Sequence, residues 1–210
     1  MKNWKCTVCG YLHAGNQPLS KCPVCAADQD KFVPAPEGDK PESKAPSASP
    51  LPGQEQPVQI PLIGTRFRGL LALLIRKHLH PILSHIPNGV LPLSVLFILL
   101  AALFDWQALG RAAMFNMLFV LLALPGVLFT GYLEWKLKYG GHWTWLFRLK
   151  IGSALCTLVL VLVLTIWLAL NPGLLAASGG GRVVFVLLSL VMLAAAGTAG
   201  YLGGKLVFKD

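Results

Sequence analysis

Four stretches of this 210-residue chain, residues 81–104, 112–132, 151–170 and 183–202, are apolar over the length a helix needs to cross a bilayer's hydrocarbon core, about 20 residues. The loops between them are short, so a soluble core built from the same runs is a poor competitor. Composition agrees: 55% hydrophobic against 13% charged residues is too apolar for an ordinary soluble domain. Residues 61–210 therefore read as an all-α membrane domain, a four-helix bundle. The first run is interrupted by Pro87-Asn88-Gly89 and Pro92, the second carries Pro125-Gly126, and the third has no break. Ahead of the first, Arg66, Phe67, Arg68, Leu70, Leu71, Leu73, Leu74, Ile75, Arg76 and Lys77 suit an amphipathic helix lying at the interface. Gly197, Gly200, Gly203 and Gly204 should let a neighbouring helix approach the last span closely. Asn116, Thr165 and Ser189 should hydrogen-bond between helices, and Cys156 reads as a small buried residue.

The net charge of +9 falls entirely in residues 57–210, where twelve basic side chains face three acidic ones. Nucleic acid is the usual partner of a basic chain, but these cations flank apolar runs and read as orientation charges, so no nucleic-acid partner is expected. Arg66, Arg68, Arg76 and Lys77 precede the first span. Lys136, Lys138, Arg148 and Lys150 lie between the second and third, and Lys205 and Lys209 follow the fourth. The other two loops hold only Arg111 and Arg182. The positive-inside rule then places both termini on the cytoplasmic side of an inner membrane, with the lipid bilayer itself the first partner.

A second feature is independent of the first. Cys6-Thr7-Val8-Cys9 and Cys22-Pro23-Val24-Cys25 are two Cys-x-x-Cys pairs a dozen residues apart, able to bring four thiolates to the corners of one tetrahedron. Such a set suits iron or zinc. Gly10 permits a positive φ, so that backbone N–H groups turn towards the sulfurs and spread their charge. Thiolates kept free for a metal argue for a reducing compartment, which agrees with the loop charges. No signal peptide is expected ahead of Trp4, because the chain begins polar. About 35 residues cannot bury enough apolar surface to fold alone, so metal binding and folding should be one event.

The run from Trp4 to Val33, with W-x-C-x-x-C-G-Y, then C-P-x-C-x-A, then Asp30-Lys31-Phe32, resembles the short rubredoxin-like domain carried by rubrerythrins. The resemblance implies a small metal-knuckle domain, residues 1–35, holding one iron on Cys6, Cys9, Cys22 and Cys25 that cycles between ferric and ferrous states. It also implies that Cys9 and Cys25 are the more exposed ligands and the point of electron passage. Ala26 stands where the family usually has a second glycine. Trp4, Tyr11 and Phe32, the aromatics that roof such a site, favour iron. The ligands alone do not separate the metals, and a redox-silent zinc ribbon with the same four thiolates is the alternative.

Residues 36–60, rich in Pro, Ser, Glu and Lys, read as an extended linker with a reach of about 25–30 Å, which tethers the metal domain near the membrane.

Four of the five histidines, His78, His80, His85 and His142, fall on the predicted cytoplasmic side; His13 lies in the metal domain. Pro81 suits a first helical turn, and Pro87-Asn88-Gly89 should loosen the helix just beyond His85. An ionisable residue beside such a break is a functional-site candidate. The pattern H-x-H-P-x-x-x-H-x-P, residues 78–87, resembles a family of small four-helix membrane proteins classed as domain of unknown function 2231, which implies a fold and little function. Haem b in helical bundles is held by imidazoles from different helices. His85 and His142 are the first candidate pair and His80 the substitute for either; the alternative is histidines at headgroup level bonding lipid phosphate or backbone. A quinone-head site using His85 or Tyr132 is a further option. Paired carboxylates, a nucleophile elbow and a phosphate loop are all missing, and Gly179–Gly181 reads as a loop.

The sequence thus describes a membrane-anchored electron-transfer protein rather than a stand-alone enzyme. It would work between a cytoplasmic redox partner, such as a rubredoxin reductase or other flavoprotein, and a membrane haem or quinone. The rival is a zinc or rubredoxin-type adaptor for assembly on a cofactor-free anchor. The oligomeric state is left open.

Overall fold

The computed structural model describes residues 2–35, 79–176 and 179–208. The linker at 36–60, the interfacial helix expected over 66–77, His78 and Lys209 lie outside the described residues. The chain divides into two compact units. One comprises Met1–Lys77, Leu133–Arg148 and Gly203–Asp210; the other comprises His78–Tyr132 and Leu149–Leu202.

The second unit is built from the greater part of four helices, α1 (Leu79–Phe104), α2 (Gln107–Lys138), α3 (Trp145–Leu170) and α4 (Gly180–Phe208), of which the last turns of α2 and α4 and the first turn of α3 belong to the first unit. All four are long and apolar enough to cross a membrane. α2 has 32 residues, and at 1.5 Å per residue it extends about 48 Å, well beyond the ~30 Å of a hydrocarbon core. Apolar runs mark only the lipid-compatible middle of a helix, and the backbone ladder continues into the polar flanks. For the same reason α4 starts at Gly180, inside the glycine run expected to be a loop.

α1 runs unbroken through Pro87 and Pro92, so the loosening expected beyond His85 does not occur. Each proline removes one N–H from the ladder. A fully broken turn in lipid would strand several backbone groups at several kcal/mol each, and the continuous helix avoids this.

Apolar residues three, four or seven apart form one inward face per helix: Leu91, Val95 and Ile98 on α1, Met117 and Val120 on α2, Val161 and Leu164 on α3, Phe185 and Met192 on α4. The outward faces carry exposed large side chains such as Phe115, Leu122, Leu155 and Leu187, which is the pattern of a surface solvated by lipid. Cys156 is exposed, not buried as expected. Thr165 and Ser189 donate to carbonyls one turn back in their own helices, Val161 at 2.6 Å and Phe185 at 2.8 Å, rather than across helices. The i−4 carbonyl is always in reach of a helical hydroxyl and needs no neighbour. In the glycine stripe of α4, Gly200 marks a close approach: a Cβ there would lie 3.0 Å from the Asn88 amide, whereas Gly197 faces open space.

α1 and α2 are joined by a two-residue turn in which Asp105 adopts φ +51°. Arg182 of α4 closes it, donating to the Ala102 carbonyl at 3.1 Å and to the Asp105 carboxylate at 3.4 Å. A cation at a helix C-terminus satisfies a last-turn carbonyl and opposes the negative end of the dipole.

Candidate metal centre

The first unit opens with a three-stranded antiparallel sheet in the order β2-β1-β3, from β1 (Lys2–Cys6), β2 (Leu12–Gly15) and β3 (Phe32–Pro34). β1 pairs Trp4 with His13 on one side and with Pro34 on the other. The Trp4 indole N–H donates to the Gly15 carbonyl at 3.2 Å, and Thr7 bonds the Lys31 carbonyl through both backbone and hydroxyl, at 2.8 and 3.0 Å. These bonds hold the turn after β1 against the short 3-10 turn Gln29–Lys31.

Two turns of the same design present the cysteines. In the first, the Cys6 N–H donates to the Tyr11 carbonyl and the Gly10 N–H to the Cys6 carbonyl, each at 2.8 Å. In the second, Cys22 donates to Ala27 and Ala26 to Cys22, again at 2.8 Å. Both need a left-handed residue after the second cysteine, Gly10 at φ +79° and Ala26 at φ +55°. Glycine takes this conformation freely; alanine is strained there by about 1–2 kcal/mol. Ala26→Gly is expected to stabilise the metal-loaded domain by about 0.5–1 kcal/mol after glycine's greater freedom in the unfolded chain is allowed for. A denaturation midpoint that falls rather than rises would show that the turn is relaxed with alanine.

The result is a cluster of four buried sulfurs, all within 4.8 Å of one another, with Cys6···Cys25 at 3.7 Å and Cys9···Cys22 at 3.6 Å. Four metal–sulfur bonds of about 2.3 Å require tetrahedral edges of about 3.8 Å, so the donor set fits one iron or zinc. Thiols this close share their protons unequally. Hydrogen bonding from Cys22 first, then Cys25 and Cys9, holds the Cys6 thiol far below the usual thiol range, and Cys22 likewise lowers Cys25. Cys9 is pushed far above that range, chiefly by Cys22 and then Cys25 and Cys6; Cys25 and Cys6 raise Cys22. Two sulfurs give up protons readily and two resist adding further negative charge, an arrangement that a multivalent cation resolves.

Residues 4–33 match the family model for the rubredoxin-like domain of rubrerythrin. Within this rubredoxin-like domain the chain is 58% identical over 33 residues to "Reverse rubrerythrin-1" of Clostridium acetobutylicum. That alignment covers 16% of this chain and 18% of the relative, so it speaks for the metal domain alone. No solved structure matches the chain.

The ligand exposures correct one expectation. Cys25 is the most exposed of the four at 6%, but Cys9 is covered completely at 0%. What lies against the first knuckle is the connection between α2 and α3, within the same unit. A Cβ on Gly10 would sit 3.8 Å from Thr144 Cβ, and the Tyr11 ring meets the His142 ring edge-on at 6.3 Å. Burial raises the Tyr139 phenol above its usual range, against the pull of Lys138, and the charge of Cys25 adds to the rise. Sequence reasoning singled out His142 in this stretch as a haem candidate but not the contact of the stretch with the knuckle. Its signal was Tyr139-Gly140-Gly141-His142-Trp143-Thr144-Trp145, a glycine- and aromatic-rich loop where a plain charged turn would serve to join two spans.

Each of the other candidate ligands, His80, His85 and His142, has a partner of its own. His80 Nδ1 lies 3.3 Å from Thr130 Oγ1, and its ring occupies the notch left by Gly131, where a Cβ would come 2.8 Å from Cε1. Thr130 already donates to the Gly126 carbonyl at 2.8 Å, so it accepts from His80, which puts the proton on Nδ1. His85 Nδ1 is 2.7 Å from the Pro81 carbonyl, an obligatory acceptor, which again fixes the Nδ1–H form. His85 is exposed, and His142 is half-buried with its carbonyl accepting from the Trp135 indole at 3.0 Å.

Proposed function

We propose that the chain is a membrane-anchored electron-transfer protein whose rubredoxin-like domain exchanges electrons between a cytoplasmic redox partner and an acceptor or donor in the membrane. The observation that carries this reading is the four-sulfur cluster of rubredoxin type in a chain that also has four helices able to cross a membrane. Bound iron would supply one-electron ferric–ferrous chemistry. The protein's part is to hold four thiolates at fixed separations, to keep water from them and to direct N–H groups at them, the levers that set an iron–sulfur potential.

The lysines and arginines flanking the spans support a cytoplasmic metal domain, where a reductase of flavoprotein type is the proposed partner. On the membrane side the proposed cofactor is haem b on His85 and His142, with His80 in reserve, or a quinone in the same region. The Nδ1–H forms of His80 and His85 support this, because a ligating imidazole donates its other nitrogen to a fixed acceptor. The resemblance of residues 78–87 to domain of unknown function 2231 adds a four-helix fold and no chemistry.

The test is metal analysis with an optical spectrum of the purified full-length protein. Iron–thiolate absorption with a Soret band, and loss of reduction of that haem when residues 1–35 are deleted, is the expected result. Stoichiometric zinc with no visible absorption would replace electron transfer by an adaptor role.

A further inference from the structure

The ligand face of a rubredoxin-like domain is where electrons pass, and here that face is not open. Gly10, next to Cys9, abuts Thr144; Tyr11 abuts His142; Val8 and Cys9 have no exposure. All these neighbours belong to one short stretch, residues 139–147, and that stretch has a fixed shape. Gly140 and Gly141 are both left-handed, at φ +63° and +69°. The Trp135 carbonyl accepts the Gly141 N–H at 3.0 Å, while the Trp135 indole donates to His142. Tyr139 packs on Phe147 at 5.2 Å, and Thr144, Leu146 and Phe147 are buried. Thr144 Oγ1 is a buried hydroxyl with no hydrogen-bond partner. The Thr144 carbonyl accepts the Arg148 N–H at 3.0 Å, but the hydroxyl does not cap α3, and the Cβ lies on the side of Gly10.

We propose that residues 139–147 are a receiving surface for the ligand face of the chain's own metal domain. The surface closes the Cys9 side of the centre to water and to outside carriers, and it makes Tyr11 and His142 the bridge between the centre and the helices. An external partner is left the Cys25 side. The bridging role rests on the electron-transfer reading above; the cover does not, since it would shield zinc equally.

Thr144 gives a clean test. Its hydroxyl caps nothing, so replacing it removes no bond from α3. Thr144→Val keeps the shape, whereas Thr144→Phe puts a ring into the space beside Gly10, where even an added Cβ would lie 3.8 Å from Thr144 Cβ, and should lift the knuckle. In the full-length, metal-loaded protein, Thr144→Phe is expected to speed metal loss to a chromophoric chelator about tenfold, with Thr144→Val unchanged, because exchange now proceeds from an open face. With iron bound, one-electron oxidation of the reduced centre by ferricyanide should accelerate in step. Equal chelation rates in all three proteins would overturn the cover. Should Thr144→Phe fail to fold, the wild type decides: stripping its metal should raise amide exchange across residues 139–147 about tenfold, and unchanged exchange there defeats the proposal. Protected zinc would leave the cover standing and remove electron transfer; unprotected iron would do the reverse.

Discussion

Cys22→Ser unfolds residues 2–35 and leaves the four helices intact. The metal domain has little else to hold it. Its buried apolar side chains outside the ligands are Val8, Tyr11, Val24, Ala27 and Phe32, worth about 1.5–3 kcal/mol each for the larger ones. That is too little apolar burial to order a domain this small, and three short strands do not make up the difference. Structural metal binding contributes on the order of 10–16 kcal/mol in domains of this size. Losing one thiolate from a four-sulfur set removes most of it, because the remaining three are held at tetrahedral separations around nothing that binds tightly. The exposed Lys21–Asp28 pair, at 3.9 Å, adds almost nothing. Limited proteolysis should therefore cut freely within residues 2–35 of the variant, with helical circular dichroism unchanged. Chelating the wild type should reproduce the pattern. Persistent protection of those residues without metal would mean that the sheet and its contact with residues 139–147 suffice.

The parts of this molecule that sequence made legible are those where one residue type has one physical use. Four cysteines in two short-spaced pairs have few uses besides a metal, and the sulfurs do converge. Apolar runs of spanning length have few besides a bilayer, and all four became helices. Errors came where an element answers to its surroundings. Pro87 reads as a breaker in water, but α1 runs through it because lipid makes a broken turn the costlier choice. Ser189 and Thr165 read as interhelical ties, but a hydroxyl's own helix always offers a nearer carbonyl. The covered face of Cys9 could not be read at all: Gly10 and Thr144 are more than a hundred residues apart, and neither carries a charge or period that advertises the other.

Phe185→Ala is expected to destabilise the helical domain by about 2–3 kcal/mol, while Phe119→Ala changes it by less than about 0.5 kcal/mol. Both phenylalanines lie in apolar helices, so hydropathy treats them alike. Phe185 is fully buried and meets Trp167 edge-to-face at 5.8 Å, whereas Phe119 is 54% exposed on the outward side of α2. In a soluble core the first change would cost about 3–5 kcal/mol, part of it the transfer of a ring from water. A bilayer removes that part, since separated helices would bury the ring among lipid tails. What remains is the cavity, roughly 70 Å³ once the neighbours relax, at about 24 cal/mol per Å³, together with the lost aromatic contact. At Phe119 lipid fills the space and no cavity forms. Unfolding by SDS in mixed micelles measures both. Equal losses at the two sites would mean that the inward and outward faces of these helices have been assigned wrongly, and a loss near 5 kcal/mol at Phe185 would mean that water, not lipid, surrounds the separated helices.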